Sequence, residues 1–141
     1  MNRPSIRAIA FSALSLLATL VPAAAAQEES NDGKVSFNNA CRTCHSFKAD
    51  DNRLGPTLHG IVGRKAGSIE GFAFSPSMKA SGITWDEATL DKFITDPNQV
   101  VSGHKMQPFG GIADAGERKK IIDYLKTVSY THLTLPTTPY V

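Results

Sequence analysis

The stretch Cys41-Arg42-Thr43-Cys44-His45 decides the fold of this chain. The pattern Cys-x-x-Cys-His is typical of covalent haem attachment. Two thiols three residues apart can add to the two vinyl groups of one porphyrin, which places the adjacent imidazole beneath the iron. Neutral imidazole is a common axial ligand of haem iron. The motif therefore predicts one covalent haem c, attached through Cys41 and Cys44 and bound at its iron by His45.

Three other uses of this cysteine pair stay open at this point. A thioredoxin-like dithiol also contains Cys-x-x-Cys, but it needs a βαβ pattern that the surrounding sequence does not show. A zinc site needs four ligands, and the chain has no third cysteine. A disulfide between Cys41 and Cys44 would close a very short loop and would constrain the unfolded chain little. Thioether attachment explains the pair better.

The first 26 residues predict a cleavable export signal. Residues 1–7 include two arginines and no acidic residue, and residues 8–21 are nearly all apolar. Small residues at Ala24 and Ala26 place the cleavage site after Ala26. The apolar run is short for a membrane span, which needs roughly 20 apolar residues, so an uncleaved anchor is the second interpretation. We expect the mature protein in the periplasm.

Charge and length limit the function classes. The chain has 15 Lys and Arg against 13 Asp and Glu, and two of the basic residues lie in the export signal, which leaves 13 against 13. A neutral balance argues against a nucleic-acid partner. The basic run at 118–120 is interpreted as a solvated helix face. Residues 27–128 are one domain of about a hundred residues, for which a buried porphyrin would supply much of the missing core.

The periodicity predicts helices and no strand pairs. The first helix is expected to begin at Asp32, whose carboxylate can cap it, and to follow a loose leader at 27–31. Ser75-Pro76 opens a short helical turn that Gly82 closes. The polar, glycine-rich stretch at 48–71 lacks the alternation of a strand, so we expect it to wrap a ligand.

Two further helices follow. Thr84-Trp85-Asp86-Glu87 predicts a capping box at the start of one helix, and Pro97 ends that helix. The last helix is expected to begin at Asp114. Apolar stripes give the buried sides of the two helices, which are Leu90, Phe93 and Ile94 in the first, and Ile121, Ile122, Leu125 and Val128 in the second.

The C-terminal segment does not continue this pattern. Residues 128–137 resemble the in-frame translation of a transposon-type sequencing-library adapter. We therefore interpret residues 129–141, including His132, as a non-native or disordered tail without function. Codons that do not match the adapter would remove this interpretation.

An iron with one histidine needs a sixth ligand or an open site. The candidates are Met78, Met106, His59, His104 and solvent, and Met106 is favoured. It lies on no helical stripe, in a loop rich in glycine and proline, whereas a lone methionine is usually core filler. Histidine with methionine is the pairing of low-spin electron carriers. His59 is interpreted as structural and His104 as a surface histidine.

From Gly33 to about Lys126 the chain resembles the class I cytochromes c, the soluble monohaem electron carriers of the bacterial periplasmic type. The resemblance rests on the haem motif, the pair Gly33 and Phe37, the segment 55–60, and Lys105-Met106. It implies the all-α cytochrome c fold, in which three main helices, short helical turns and loops wrap one covalent haem. The first helix would then pack against the last one near Ile121, Tyr124 and Leu125.

The resemblance also assigns roles to residues around the haem. The carbonyl of Pro56 would accept a hydrogen bond from the second nitrogen of His45, Arg64 would lie near a haem propionate, and the indole of Trp85 would donate to a propionate. Three positions depart from the family pattern. Phe74 and Phe93 stand where many relatives have tyrosines, and Met78 stands where relatives often have a buried asparagine.

The implied function is that of a monomeric single-electron carrier rather than an enzyme. It would shuttle electrons between membrane complexes, with a donor of the quinol-cytochrome c reductase type and an oxidase or similar acceptor. Lys48, Lys79 and Lys105 are candidates for the rim that meets an acidic docking site. Two alternatives stay open, a peroxidase-like or gas-binding haem enzyme with a labile sixth ligand, and a haem subunit of a larger oxidoreductase.

Overall fold

The computed structural model describes residues 23–130 of the chain. This range contains five helices, joined by loops, and no strand. They are α1 (Ala23–Ala40), α2 (Pro76–Ala80), α3 (Glu87–Thr95), α4 (Pro97–Val100) and α5 (Ala115–Tyr130). The only β pairing in this range is an isolated antiparallel bridge between Lys65 and Thr84. The prediction of an all-α fold with three main helices and short helical turns is confirmed. Within residues 23–130 no helix is long and apolar enough to span a membrane.

Both ends of the helical region differ from the sequence-based expectation. Helix α1 begins at Ala23, so the predicted start at Asp32 and the loose leader at 27–31 are wrong. Alanine, glutamine and glutamate are strong helix formers, and residues 23–29 contain nothing else, so the helix extends upstream of Asp32. Helix α5 continues through Ser129 and Tyr130, the first two residues of the predicted tail. Residues 1–22 of the predicted export signal and residues 131–141 lie outside the described range.

The cap of α3 is also displaced. Asp86 is the N-cap, since its Oδ1 accepts from the Thr89 N–H at 2.7 Å while the Thr89 hydroxyl accepts from the Asp86 N–H at 2.8 Å. The predicted box between Thr84 and Glu87 is wrong, because Thr84 is extended and pairs with Lys65. Pro97 does end α3, as predicted. Asp96 then caps the one-turn helix α4, which the sequence analysis missed.

Helices α1 and α5 pack together and form the centre of the core. Phe37 of α1 and Ile121 of α5 are completely buried, and the Phe37 ring lies 5.6 Å from the ring of Tyr124, centroid to centroid. Leu125 is buried beside them. The predicted pairing of the first and last helices is therefore present, and the backbone of Gly33 lies close against α5.

Replacing Gly33 with alanine is expected to destabilise the fold. A Cβ at this position would lie 2.5 Å from the Lys120 carbonyl oxygen and 2.8 Å from the Tyr124 Cβ, both fixed on α5. The helices would have to separate, so we expect the free energy of unfolding to fall by about 1–3 kcal/mol. Guanidinium unfolding of the haem-loaded protein measures it. Gly110→Ala is the control, because no atom lies within 4 Å of its added Cβ. Equal midpoints for the two variants would contradict the prediction.

Arg118 joins α5 to two other parts of the chain. Its Nε donates to Asp91 Oδ1 of α3 at 2.7 Å, and its Nη1 donates to the carbonyls of Ile112 and Ala113 at 3.0 and 2.8 Å. Arg118 is buried, so the interpretation of residues 118–120 as a solvated face is wrong at its first residue. The guanidinium instead fixes the end of the loop between α4 and α5.

Candidate haem site

The cysteine motif continues the end of α1 as a tight turn. The Cys41 N–H donates to the Phe37 carbonyl at 2.8 Å, and the N–H groups of Cys44 and His45 both donate to the Cys41 carbonyl, at 3.1 and 2.9 Å. Cys41 and Cys44 are half-buried and do not form a disulfide with each other. This turn presents two free thiols and an imidazole from five consecutive residues, which is the arrangement that thioether attachment needs.

The alternatives to haem fit this turn poorly. Burial raises the pKa of Cys41 to about 12, and the neighbouring Cys44 shifts it in the same direction. A redox-active dithiol needs a lowered thiol pKa, because the thiolate is the nucleophile. Within residues 23–130 no group of three or more His, Cys, Asp or Glu side chains could hold a metal ion. The described residues therefore favour neither a dithiol catalyst nor a zinc site.

His45 is buried and oriented. Its Nδ1–H donates to the Pro56 carbonyl at 2.7 Å, the hydrogen bond that the resemblance implies. This bond assigns the proton to Nδ1 and leaves the lone pair on Nε2, which has no partner among the described residues. Burial lowers the pKa of His45 most, the Pro56 carbonyl opposes that shift, and Arg64 adds to it. The result is a neutral imidazole with one nitrogen available to a metal.

Gly55 is a site residue that the sequence analysis did not assign. A Cβ added there would lie 2.7 Å from Nδ1 and 2.8 Å from Nε2 of His45 and closer still to Cε1, so the glycine backbone lies directly against the imidazole ring. The Gly55 N–H donates to the Cys44 carbonyl at 2.8 Å. The only sequence signal for this role was a glycine immediately before Pro56. That signal did not show that a larger residue would collide with the His45 ring.

Gly55→Ala should displace the His45 ring. The backbone at residue 55 is held by Cys44, so the imidazole must yield, and its bond to Pro56 should weaken. We expect a loss of about 1–3 kcal/mol in the free energy of unfolding, together with a ferric spectrum that shifts from low spin toward high spin. Visible absorption and denaturant unfolding measure both effects, with Gly110→Ala as the control. A variant with an unchanged spectrum and unchanged midpoint would show that the ring tolerates the methyl group.

Arg64 and Trp85 lie side by side although they are distant in sequence. The backbone N–H of Trp85 donates to the Arg64 carbonyl at 2.9 Å, and the backbone N–H of Gly63 donates to the Trp85 carbonyl at 2.7 Å. These bonds flank the Lys65–Thr84 bridge and form a short two-stranded strap, residues 63–66 and 83–85. The strap places the backbones of these two residues, which the resemblance assigns to haem propionates, next to each other.

The Arg64 guanidinium is a partly buried cation. It donates from Nη1 to the His59 carbonyl and from Nη2 to the Thr57 carbonyl, both at 2.8 Å. Burial lowers the pKa of Arg64 to about 10, which still leaves it charged at neutral pH. The charge lies close enough to His45 to shift its pKa. Trp85 is buried, with its ring 5.0 Å from that of Phe93.

Met106 lies half-buried in the loop between α4 and α5, residues 101–114, which we name the Met106 loop. Its N–H donates to Nδ1 of His104 at 2.9 Å. His104 is buried, with 5% of its surface exposed, so the interpretation of a surface histidine is wrong. The turn at Gly103 accounts for the burial of His104. Gly103 has a φ of +78°, a backbone conformation that glycine adopts readily, and the chain turns inward there. At the far end, the Ile112 N–H donates to the Ile94 carbonyl at 2.9 Å.

The other candidate ligands lie in different surroundings. Met78 of α2 is buried in the hydrophobic core, together with Phe93. His59 is half-buried, and its backbone carbonyl is bound by Arg64. Met106 thus lies on a loop that is fixed at both ends, whereas Met78 is packed among core side chains.

The thiol-bearing turn, the oriented neutral imidazole and the cationic strap fit a covalent haem, and together they define a c-type haem protein. Residues 28–125 match the family model described as "Cytochrome C oxidase, cbb3-type, subunit III". A relative named cytochrome c2 iso-2, from Magnetospirillum molischianum, is 49% identical over 88 residues, which are 62% of this chain and 90% of the relative. Cytochrome c2 of Blastochloris viridis is 38% identical over 122 residues, covering 86% and 93%.

The structure of cytochrome cH from Methylobacterium extorquens is similar at a TM-score of 0.64 and 45% identity, over 70% of this chain and 97% of that one. The chain belongs to the class I c-type cytochromes. It has one covalent haem c, and it is an electron carrier rather than an enzyme. The predictions of family, fold and cofactor are confirmed, and the alternative of a peroxidase-like or gas-binding enzyme is set aside.

Proposed function

We propose that the protein is a periplasmic single-electron carrier with haem thioethers at Cys41 and Cys44 and with His45 and Met106 as axial ligands. The observation that carries the proposal is the bond from His45 Nδ1–H to the Pro56 carbonyl at 2.7 Å. It holds a neutral imidazole with a free Nε2 in the same turn as both thiols. A hydrogen bond of this kind fixes the ring and raises the basicity of a metal-binding histidine.

The side chains around the site set the conditions for electron transfer. The haem iron supplies the redox chemistry by gaining or losing one electron. Phe74, Met78 and Phe93 place apolar groups where the resemblance implies polar ones, and the last two are buried. An apolar pocket that excludes water changes its structure little when the iron changes charge. The reorganisation energy of electron transfer is therefore small. Burial and neighbouring charge also tune the reduction potential.

Arg64 and Trp85 are proposed to hold the haem carboxylates. Arg64 is a partly buried cation on the strap, and a buried charge favours a partner of opposite sign. Two of its nitrogens bind the carbonyls of Thr57 and His59, which orients the guanidinium. Trp85 is fixed by backbone bonds to the same strap, so both donors would reach one edge of the porphyrin.

Docking is proposed to use exposed lysines. Lys48, Lys79 and Lys105 are exposed, and none of them forms an ion pair among residues 23–130. Unpaired surface cations steer a weak encounter toward an acidic partner. We propose membrane complexes as partners, a donor of the quinol-cytochrome c reductase type and an oxidase-type acceptor, each meeting a monomer of this chain.

A second candidate function is that of a haem subunit within a larger oxidoreductase. It is favoured by the description of the matching family model, which names an oxidase subunit, whereas the relatives described above are named cytochromes c2 and cH. Size-exclusion chromatography of the native extract distinguishes the two. Elution as a lone domain supports the carrier, and co-elution with a membrane complex supports the subunit.

The location and the ends of the mature chain are part of the proposal. We propose that residues 1–26 are removed after Ala26, that haem is attached outside the cytoplasm, and that residues 27–128 form the haem domain. N-terminal sequencing of the exported protein tests the cleavage site. The nucleotide sequence tests whether residues 129–141 are native.

The visible spectrum of the ferric protein tests the axial ligands. Iron bound to methionine sulfur gives a weak far-red band in this family, and we expect that band together with a low-spin spectrum. A high-spin spectrum, or ready binding of carbon monoxide by the reduced protein, would contradict Met106 ligation.

A further inference from the structure

The imidazole side chain of His104 makes one hydrogen bond and lacks another. Its Nδ1 accepts from the Met106 N–H at 2.9 Å, which assigns the proton of the neutral ring to Nε2. The ring is buried, and Nε2 is the buried side-chain nitrogen that has no partner among residues 23–130. Buried polar groups in folded proteins are nearly always paired, so an unpaired donor calls for an acceptor that joins the fold later.

The surroundings of His104 indicate what kind of acceptor is missing. Its ring lies 5.9 Å from the Phe93 ring in an edge-on contact, and Phe93 in turn packs 5.0 Å from Trp85. This row of aromatic rings connects the Met106 loop with the strap that holds Arg64. The side chains of the row are apolar or donate hydrogen bonds, so the row itself supplies no acceptor.

The haem supplies acceptors of one kind, its two propionate carboxylates. A carboxylate is a strong partner for an N–H donor, because hydrogen bonds to ionised groups are shorter and stronger than neutral ones. The strap at the other end of the aromatic row already directs Arg64 and Trp85 toward a carboxylate in the proposed function. The same edge of the porphyrin is therefore the one that His104 would reach.

We propose that His104 is a haem-binding and positioning residue that acts through both ring nitrogens. Nδ1 holds the backbone of Met106, and Nε2–H donates to a haem propionate. One side chain would thus connect the backbone of the proposed sixth ligand to the carboxylate edge of the cofactor. This inference rests on the proposed function, since it requires the covalent haem in the pocket.

Nuclear magnetic resonance of the reduced, haem-loaded protein labelled with ¹⁵N-histidine tests the proposal on the unmodified chain. We expect a bare Nδ1 and a protonated Nε2 at His104, slow exchange of the Nε2 proton, and a nuclear Overhauser effect from it to the methylene protons of one propionate. A proton on Nδ1, or an Nε2 proton with no effect to either propionate, would overturn the proposal.

Two variants separate the two nitrogens. His104→Asn keeps an acceptor near the position of Nδ1 and removes the group at Nε2, whereas His104→Gln keeps a donor near Nε2 and removes the acceptor. We expect the Asn variant to shift the propionate bending mode in resonance Raman spectra while the Met106 amide stays protected from hydrogen exchange. The Gln variant should give the reverse. Equal behaviour of the two variants in both readouts would overturn the division of roles.

Failure of this inference is distinguishable from failure of the proposed function. Intact mass reports haem attachment, and the far-red ferric band reports methionine ligation, whether or not His104 contacts a propionate. A protein with both signals and no propionate contact would contradict the role of His104 alone.

Discussion

Replacing both Cys41 and Cys44 with alanine is expected to abolish covalent haem attachment completely. Each thiol supplies one thioether, and the described residues contain no other cysteine. When the protein is expressed with a haem-ligation system, intact mass spectrometry should show the polypeptide mass alone, and acidified organic solvent should extract any haem that remains bound. A double variant that keeps the added mass of one haem would contradict the assignment.

Matched controls show that the loss is specific. Arg42→Ala changes an exposed residue between the cysteines and should keep one haem per chain. Each single cysteine variant should keep at most one thioether, so any attached haem should have one vinyl group unreacted, visible as a shifted pyridine haemochrome band. The double variant alone should lose the covalent haem entirely.

Loss of the haem should also destabilise the domain. Several apolar side chains pack against the core but are only half-buried. Among them are Phe47, Leu58, Phe74 and Phe109. A small domain buries too little apolar surface to do without a cofactor core. We expect the double variant to lose its cooperative thermal transition, measured by far-ultraviolet circular dichroism, while Arg42→Ala keeps it.

Local signals in the sequence were sufficient to predict that Cys41, Cys44 and His45 lie together. The motif at residues 41–45 is contiguous, so its geometry follows from one turn at the end of α1. The contact with Pro56 was expected from the resemblance and is present in the structure. The role of Gly55 was not apparent, because a glycine in a polar loop gives no sign that a ring lies against it.

Long-range pairing explains most of what the sequence analysis missed. The cap at Asp86 replaced the predicted one at Thr84 because Thr84 pairs with Lys65, a contact between two loops without strand periodicity. The burial of His104 follows from the turn at Gly103 and from the contact of its ring with Phe93 of α3. A histidine between glycine and lysine looks solvent-exposed when only its neighbours in the chain are considered.

Met106→Ala is expected to open the sixth coordination position of the iron. Alanine offers no donor atom, so the far-red band of the ferric protein should disappear, the spectrum should become high spin, and the reduced protein should bind carbon monoxide. Axial methionine raises the potential of His/Met cytochromes. The reduction potential should therefore fall, by on the order of 0.1 V or more, since axial ligands tune haem potentials over about 0.8 V.

Met78→Leu is the matched control, because it removes the other methionine sulfur of residues 23–130 without opening a cavity. Met78 is buried in the core, and a volume-conserving swap there should cost less than about 1.5 kcal/mol. We expect this variant to keep the far-red band and a closed iron. If Met78→Leu loses the band and Met106→Ala retains it, the sixth ligand is Met78. If both variants retain it, the far-red band does not report Met106 sulfur on the iron, and the Met106 loop has a purely structural role.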